Sequence, residues 1–238
     1  MYKKINQLTE VKKGQSGTGL LIEHDGHVIG NRDVISQIKE DISHNDKFVI
    51  PDKFTVSAIF QKYGIKNANG RVYPEHILKP AVEEYIRTRV ANRSAVGALD
   101  HPEQTSLSGH DVTHVITNLQ WQGHTLIGEM ELHLSPGYRR YGICSTSGDL
   151  VANMLLDDIL VGVSSRGVGT VSQRLGVLEV EDDFELISWD VVLEPSTPNA
   201  YISRNMQDLV QYIEADETKN QKPLVNEKLE KVKNIVLG

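Results

Sequence analysis

The pattern of apolar and polar positions divides the chain into a patternless beginning, a strand-rich middle and a polar end. As far as Lys53 the glycines 14, 17, 19, 26 and 30 interrupt any sustained periodicity, which predicts an irregular arm with a short strand around Leu20–Glu23. "KFTVSAIFQKYG" then gathers β-branched and aromatic residues and predicts a strand, and "NANG" before Arg71 is turn chemistry. Pro74 suits the first turn of a helix, whereas Pro80 predicts a restart or kink. Beyond it, Val82, Tyr85, Ile86 and Val90 recur at helical spacing to about Ala91.

"THVITNLQWQGHTLIGEMELHL" predicts a hairpin. Val115, Thr117, Leu119 and Trp121 alternate on the way out, and Leu126, Gly128, Met130, Leu132 and Leu134 alternate on the return. "SGDLVANMLLDD" opens with capping residues and places Leu150, Val151, Met154 and Leu155 on one helical stripe. A strand over Gly167–Arg174, a turn at Leu175–Gly176 and a strand "FELISWDVVLEP" follow. From about Ser203 a helix is predicted, with Met206, Leu209, Val210 and Ile213 on one face, and then a polar tail. Strands outnumber helices and their links are short. This pattern predicts an α+β fold with a mainly antiparallel β core. The expected division is an N-terminal arm over 1–53, a central domain over 54–202, and a C-terminal helix and tail over 203–238.

Composition narrows the function. The chain has 238 residues, of which 39% are apolar, enough for a real core without staples. A net charge of −7 argues against a nucleic-acid binder, which needs clustered Lys and Arg. No run approaches the roughly 20 apolar residues of a membrane span, and "MYKKINQLTEVKKGQSG" lacks a signal-peptide core. The single cysteine, Cys144, fits a reducing cytoplasm and is expected to pack rather than react.

The stretch "LVGVSSRGVGT" carries the first candidate chemistry. Extended chain puts Leu160, Gly162 and Ser164 on one side and Val161, Val163 and Ser165 on the other, with open space beside Ser164. Gly167 frees backbone N–H groups to meet an oxyanion, and Arg166 supplies a permanent cation. An ordinary strand-to-turn transition has the same local pattern. A serine nucleophile needs a base, and His101 in "GALDHPE" is held extended by Pro102, although a surface turn fits as well. Asp190 alternates with Phe184, Leu186, Ser188 and Val192, so its carboxylate points to an apolar side and calls for a partner such as histidine, unless the strand is a solvated edge. Asp100 is a weaker rival for that role. His110 and His114 would suit a metal only if "HDVTH" were helical. The scattered glycines match no phosphate-binding fingerprint, so no cofactor and no metal is expected.

Taken together, "NANGRVYPEHILKPAVEEYI", "GALDHPE", "GVSSRGVGT" and "WDVVLEPSTPNAYI" resemble, in order, four blocks of the prohead core protein proteases of T-even-type tailed bacteriophages, over about residues 55–202. The chain departs from that pattern in a longer interval around "STSGDLVANMLLDD" and in Ala98, where an acidic residue is common. The resemblance implies a β-barrel-like core flanked by helices, similar to herpesvirus assembly proteases. It implies a serine endopeptidase with Ser164 as nucleophile, His101 as base and Asp190 as orienting carboxylate, supported at the oxyanion site by Ser165, Arg166 and Gly167, with backbone N–H groups ahead of the guanidinium. Implied partners are phage scaffold or core proteins and the major capsid protein as substrates, a homo-oligomer, and neither nucleic acid nor membrane. The implied setting is the prohead interior, in the host cytoplasm. Family members tend to cut after glutamate preceded two positions earlier by Leu or Ile, so self-cleavage is expected after Glu23 ("LIE") or Glu40 ("IKE"). The rivals are a metallohydrolase on His101, His110 and His114, and a non-catalytic capsid-assembly or tail-tube-like module.

Overall fold

The computed structural model describes residues 9–23, 36, 39–40, 50, 52–102, 105–193 and 202–203. The strands are β1 (Gly17–Ile22), β2 (Thr55–Lys62), β3 (Arg71–Val72), β4 (Val96–Ala98), β5 (Val112–Gln122), β6 (Thr125–Leu132), β7 (Gly162–Arg174), β8 (Val177–Val180), β9 (Glu185–Val192) and β10 (Ile202–Ser203). The helices are α1 (Glu75–Tyr85), continued by one wide turn over Ile86–Val90, then α2 (Pro136–Tyr141) and α3 (Ser147–Leu156).

The fold is α+β, as expected, with two five-stranded sheets. In one sheet the order is β10-β2-β6-β5-β4, built around the predicted β5–β6 hairpin. In the other, β7 is the axis: β1 pairs with it over Arg166–Val171, while β9 and then β8 pair along its opposite edge. The expected barrel-like closure takes a different form, and no closed barrel is formed among the described residues. The sheets meet where a bridge joins Leu99, just past β4, to Val191 of β9, and where the Asp100 N–H donates to the Val191 carbonyl at 2.8 Å. Gly97 makes that approach possible, since a Cβ there would lie 2.1 Å from the Trp189 carbonyl oxygen. Trp189 fills the space behind the seam, edge-on to Phe60 at 5.5 Å and to Tyr85 at 5.1 Å.

Three local expectations change. Pro80 does not restart α1, which runs through it from Glu75 to Tyr85. The hydrogen bond lost is the one to the His76 carbonyl, and both residues are exposed, so water can take its place. β7 does not begin at Gly167 but at Gly162, so the Ser-Ser-Arg-Gly run is strand interior and not a turn. Weak strand formers are held there because β9 pairs with the whole run, β1 pairs with it from Arg166 onward, and the segment is buried. "SPGYRRYG", which has no clear periodicity, forms α2 through its caps: the Ser135 hydroxyl accepts from the Tyr138 N–H at 3.1 Å, and Gly142 ends the helix at φ 68°. Cys144 is exposed rather than packed. The helix expected after Ser203 lies outside the described residues.

The arm is not patternless. β1 occupies the place of its expected strand, and the segment before it folds back, with the Val11 N–H donating to the Leu20 carbonyl at 3.0 Å. Another anchor is Asp149, at the third position of α3. It accepts from the N–H groups of Ser135 (2.8 Å), Ser145 (2.9 Å) and Thr146 (3.0 Å) and from the Ser135 hydroxyl (2.8 Å), completing a capping box with Thr146. Burial alone would raise its carboxyl pKa, but these donors outweigh burial and lower it. Asp149→Ala should therefore destabilise the protein by about 2–4 kcal/mol, measured by urea unfolding, because it strands several donors at once.

Candidate active site

β9 carries Ser188 and Asp190 on one face, and β7 sets Arg166 and Ser164 directly opposite them in the ladder. Directly opposed residues of an antiparallel pair share a face, so these four polar side chains form one cluster. All four are fully buried. The other face of the same ladder carries Val163, Ser165, Trp189 and Val191, all buried. The alternation read from the sequence is thus correct, and Asp190 is not on a solvated edge.

An ionised carboxylate at such a place needs donors from every side. The His101 Nδ1 lies 2.8 Å from Oδ2. Arg166 donates from Nε to Oδ2 at 2.8 Å and from Nη2 to Oδ1 at 3.3 Å. The Ala98 N–H donates to Oδ1 at 2.9 Å and the Ser188 hydroxyl at 3.1 Å. Burial pushes the carboxyl up, but the hydrogen bonds and charges of His101 and Arg166 prevail and bring Asp190 down to about 2. An ionised oxygen can only accept, so Nδ1 of His101 carries the proton in this contact. The sheet seam delivers His101: Asp100 turns the backbone at φ 60°, and the next residue meets the carboxylate with its side chain 3% exposed.

Ser164 stands across the ladder from Asp190, and its hydroxyl donates to the backbone carbonyl of Glu23. That carbonyl is delivered by β1, whose register on β7 ends at Ile22 opposite Arg166. The described chain stops at Glu23 and resumes at Ser36. β1 therefore lies along β7 as an extended peptide, and the Glu23 carbonyl just past it meets the Ser164 hydroxyl. Leu21 and Glu23 are both buried. Glu40, by contrast, is exposed and helical.

The other expected site residues fall as follows. Ser165 and Gly167 are in β7 beside Ser164, and a register irregularity separates Arg166 from Gly167. Arg166, expected at the oxyanion site, donates to Asp190 and to the Ser188 hydroxyl, the latter at 3.0 Å. His110 is exposed, while His114 is buried in β5 against Gly97, so the helical spacing a metal would need does not exist. Burial pushes His114 down to about 4. Among the described residues no group of three or more His, Cys, Asp or Glu is placed to hold a metal ion. Pattern reading missed the residues around the Glu23 side chain: Asn67, Asn69, Arg71 and Tyr73. The signal was there as polar or aromatic side chains at every second position of "NANGRVY".

Comparison with known proteins identifies the family and the fold. The sequence profile described as prohead core protein serine protease matches residues 17–209. The prohead core protein protease of Enterobacteria phage T4 is 29% identical over 163 residues, covering 68% of this chain and 73% of that protein. The solved structure of the bacteriophage T4 capsid assembly protease superposes with a TM-score of 0.56 at 24% identity, covering 74% of this chain and 98% of that one.

The Asp190 geometry has a measurable consequence. A folded pKa of about 2, below the ordinary carboxylate range, gives stability that is complete above about pH 4 and is lost as pH falls through about 2. Asp190 should account for about 2 kcal/mol of that acid loss. Asp190→Asn should flatten the slope of stability against pH between about 4 and 2, followed by thermal melting, while leaving the share that comes from Asp149.

Proposed function

The chain belongs to the prohead core protein serine protease family, and on that footing we propose that it is an endopeptidase working through Ser164, His101 and Asp190. We propose further that its first substrate is its own arm, cut after Glu23, and that scaffold or core proteins and the major capsid protein follow inside the prohead.

The observation that carries this reading is the hydrogen bond from the Ser164 hydroxyl to the Glu23 carbonyl, at the end of a strand docked on β7 and across the ladder from the His101–Asp190 pair. In the proposed reaction the Ser164 proton passes to Nε2 of His101, and Oγ bonds to the Glu23 carbonyl carbon. Backbone N–H groups of Ser165–Gly167 meet the developing oxyanion, while Arg166 keeps Asp190 ionised and in place. The bond to the nitrogen of residue 24 breaks as Nε2 returns its proton to that nitrogen. Water then cleaves the ester by the same proton path, with His101 again as base. Asp190 holds the proton on Nδ1 throughout and stabilises the imidazolium.

Glu23 comes before Glu40 as the cut because a helical peptide must unwind before it can lie along a strand. The homo-oligomer also stays part of this proposal, supported by the exposed apolar side chains of Tyr141, Ile143, Ile159 and Leu160 between α2 and β7.

The test is to express the full chain, wild type and Ser164→Ala, alone and with the scaffold and major shell proteins of its own phage, and to map termini by mass spectrometry. Wild type should lose residues 1–23 and cut its partners. Ser164→Ala should stay intact and folded, with cleavage reduced at least about 10⁴-fold. Active wild-type protein that keeps its N-terminus while cutting elsewhere would overturn the self-processing step.

A further inference from the structure

The segment Asn67–Tyr73 takes no part in the triad, yet it meets the Glu23 side chain with donors only. Oε1 receives Arg71 Nη1 at 3.1 Å and the Tyr73 hydroxyl. Oε2 receives Asn67 Nδ2 and Asn69 Nδ2, each at 2.7 Å. Arg71 Nη1 and Asn69 Nδ2 also donate to the Ile22 carbonyl, at 3.2 and 2.9 Å, so the same groups hold the backbone just before the glutamate. Arg71 and Tyr73 are buried at 0% and 2% exposure, Asn69 at 5% and Glu23 at 1%.

We propose that Asn67, Asn69, Arg71 and Tyr73 form the pocket that reads glutamate at the cleavage position. It serves first the chain's own arm and then every substrate that takes the place of β1 on β7. The proposal rests on the endopeptidase reading and adds to it the groups that choose the substrate.

The chemistry selects among side chains. Four donors, one of them a guanidinium, suit a carboxylate that shares its charge over both oxygens. A glutamine would turn its NH₂ toward donors and leave polar groups unpaired, and in a buried site that is where discrimination is greatest. Aspartate, one methylene shorter, cannot reach the same donors from the same backbone position. Burial, and next the Glu23 charge, push the Tyr73 phenol well above its ordinary value, which keeps it protonated and donating. The turn is built to present these groups: Asn67 Oδ1 accepts from the Arg71 N–H at 3.0 Å, and Gly70 turns at φ 82°. β3, which includes Arg71, is fixed by its parallel pairing with β8.

Asn67→Asp separates reading from folding. It keeps the oxygen that accepts from Arg71 and replaces only the donor that faces Glu23. Self-cleavage after residue 23 would be timed in full chains carrying Glu23→Gln, Asn67→Asp or both. Each single change should slow the cut by about tenfold or more, the scale of a lost charge-assisted hydrogen bond. The pair should recover, because the glutamine NH₂ can donate to the new carboxylate. Losses that simply multiply in the pair would overturn the assignment. Should Asn67→Asp fail to fold, Tyr73→Phe keeps the ring edge-on to Phe184 at 5.2 Å and removes only a donor. It should slow cutting of the chain with its native glutamate more than the residual cutting of the Glu23→Gln chain, because a hydrogen bond to a charged oxygen is the stronger one. An equal effect on both would count against the pocket. A wild-type chain that neither cuts nor reacts at Ser164 with a fluorophosphonate sinks the endopeptidase reading and the pocket with it. Wild type that does both, with variants keeping its Glu-to-Gln ratio, sinks the pocket alone.

Discussion

Everything at the centre of this protein is organised by one buried anion. The Asp190 carboxylate has no access to water, and burying a charge without partners costs several kcal/mol. Its donors come from three places: His101 and Ala98 from the end of β4, Arg166 from β7, and Ser188 from β9 itself. None of these segments can move away without leaving that charge unpaired. The requirement that stabilises the carboxylate is therefore also what brings the two sheets together at the Leu99–Val191 seam.

β7 supplies the second constraint. Thirteen residues long and paired on both edges, it carries Ser164 in a rigid, fully buried stretch rather than on a loop. Ser164 is paired with β9 just beyond the end of the β1 ladder, and a buried side chain at such a place has little freedom. Gly167 contributes by close approach: a Cβ there would meet Phe184 at 2.4 Å, so the aromatic ring can lie against the strand.

Much of this was legible in the sequence, and the reasons are physical. Period-two alternation placed the buried face of β6 and kept Ser188 and Asp190 of β9 together, but in β5 a bulge between Ile116 and Asn118 shifts the alternation, so that Ile116 is buried and Thr117 exposed. Asp190 could be singled out because a charge amid alternating apolar residues demands a partner, and His101 because proline stiffens its backbone. Two things were hidden. Ser164–Gly167 looked like a turn because serine and glycine are poor strand formers, and only burial and the ladder with β9, joined by β1 from Arg166, override that preference. Asn67–Tyr73 looked like a turn too, and locally it is one. Its purpose shows only when a strand from 44 or more residues earlier supplies the carboxylate, a long-range pairing that no window along the sequence contains.

Under the proposed self-cleavage, the pairing of β1 with β7 has a further consequence. Six residues of β7, Arg166–Val171, would lose their ladder partner and present bare N–H and C=O groups at the rim of a sheet. Such a rim accepts any extended chain through its main chain alone, leaving side-chain choice to a few flanking groups. The same rim is an aggregation template wherever substrate is scarce. A protein built this way is best kept covered until it is surrounded by material to digest, and a segment of its own length provides that cover at no cost in partners.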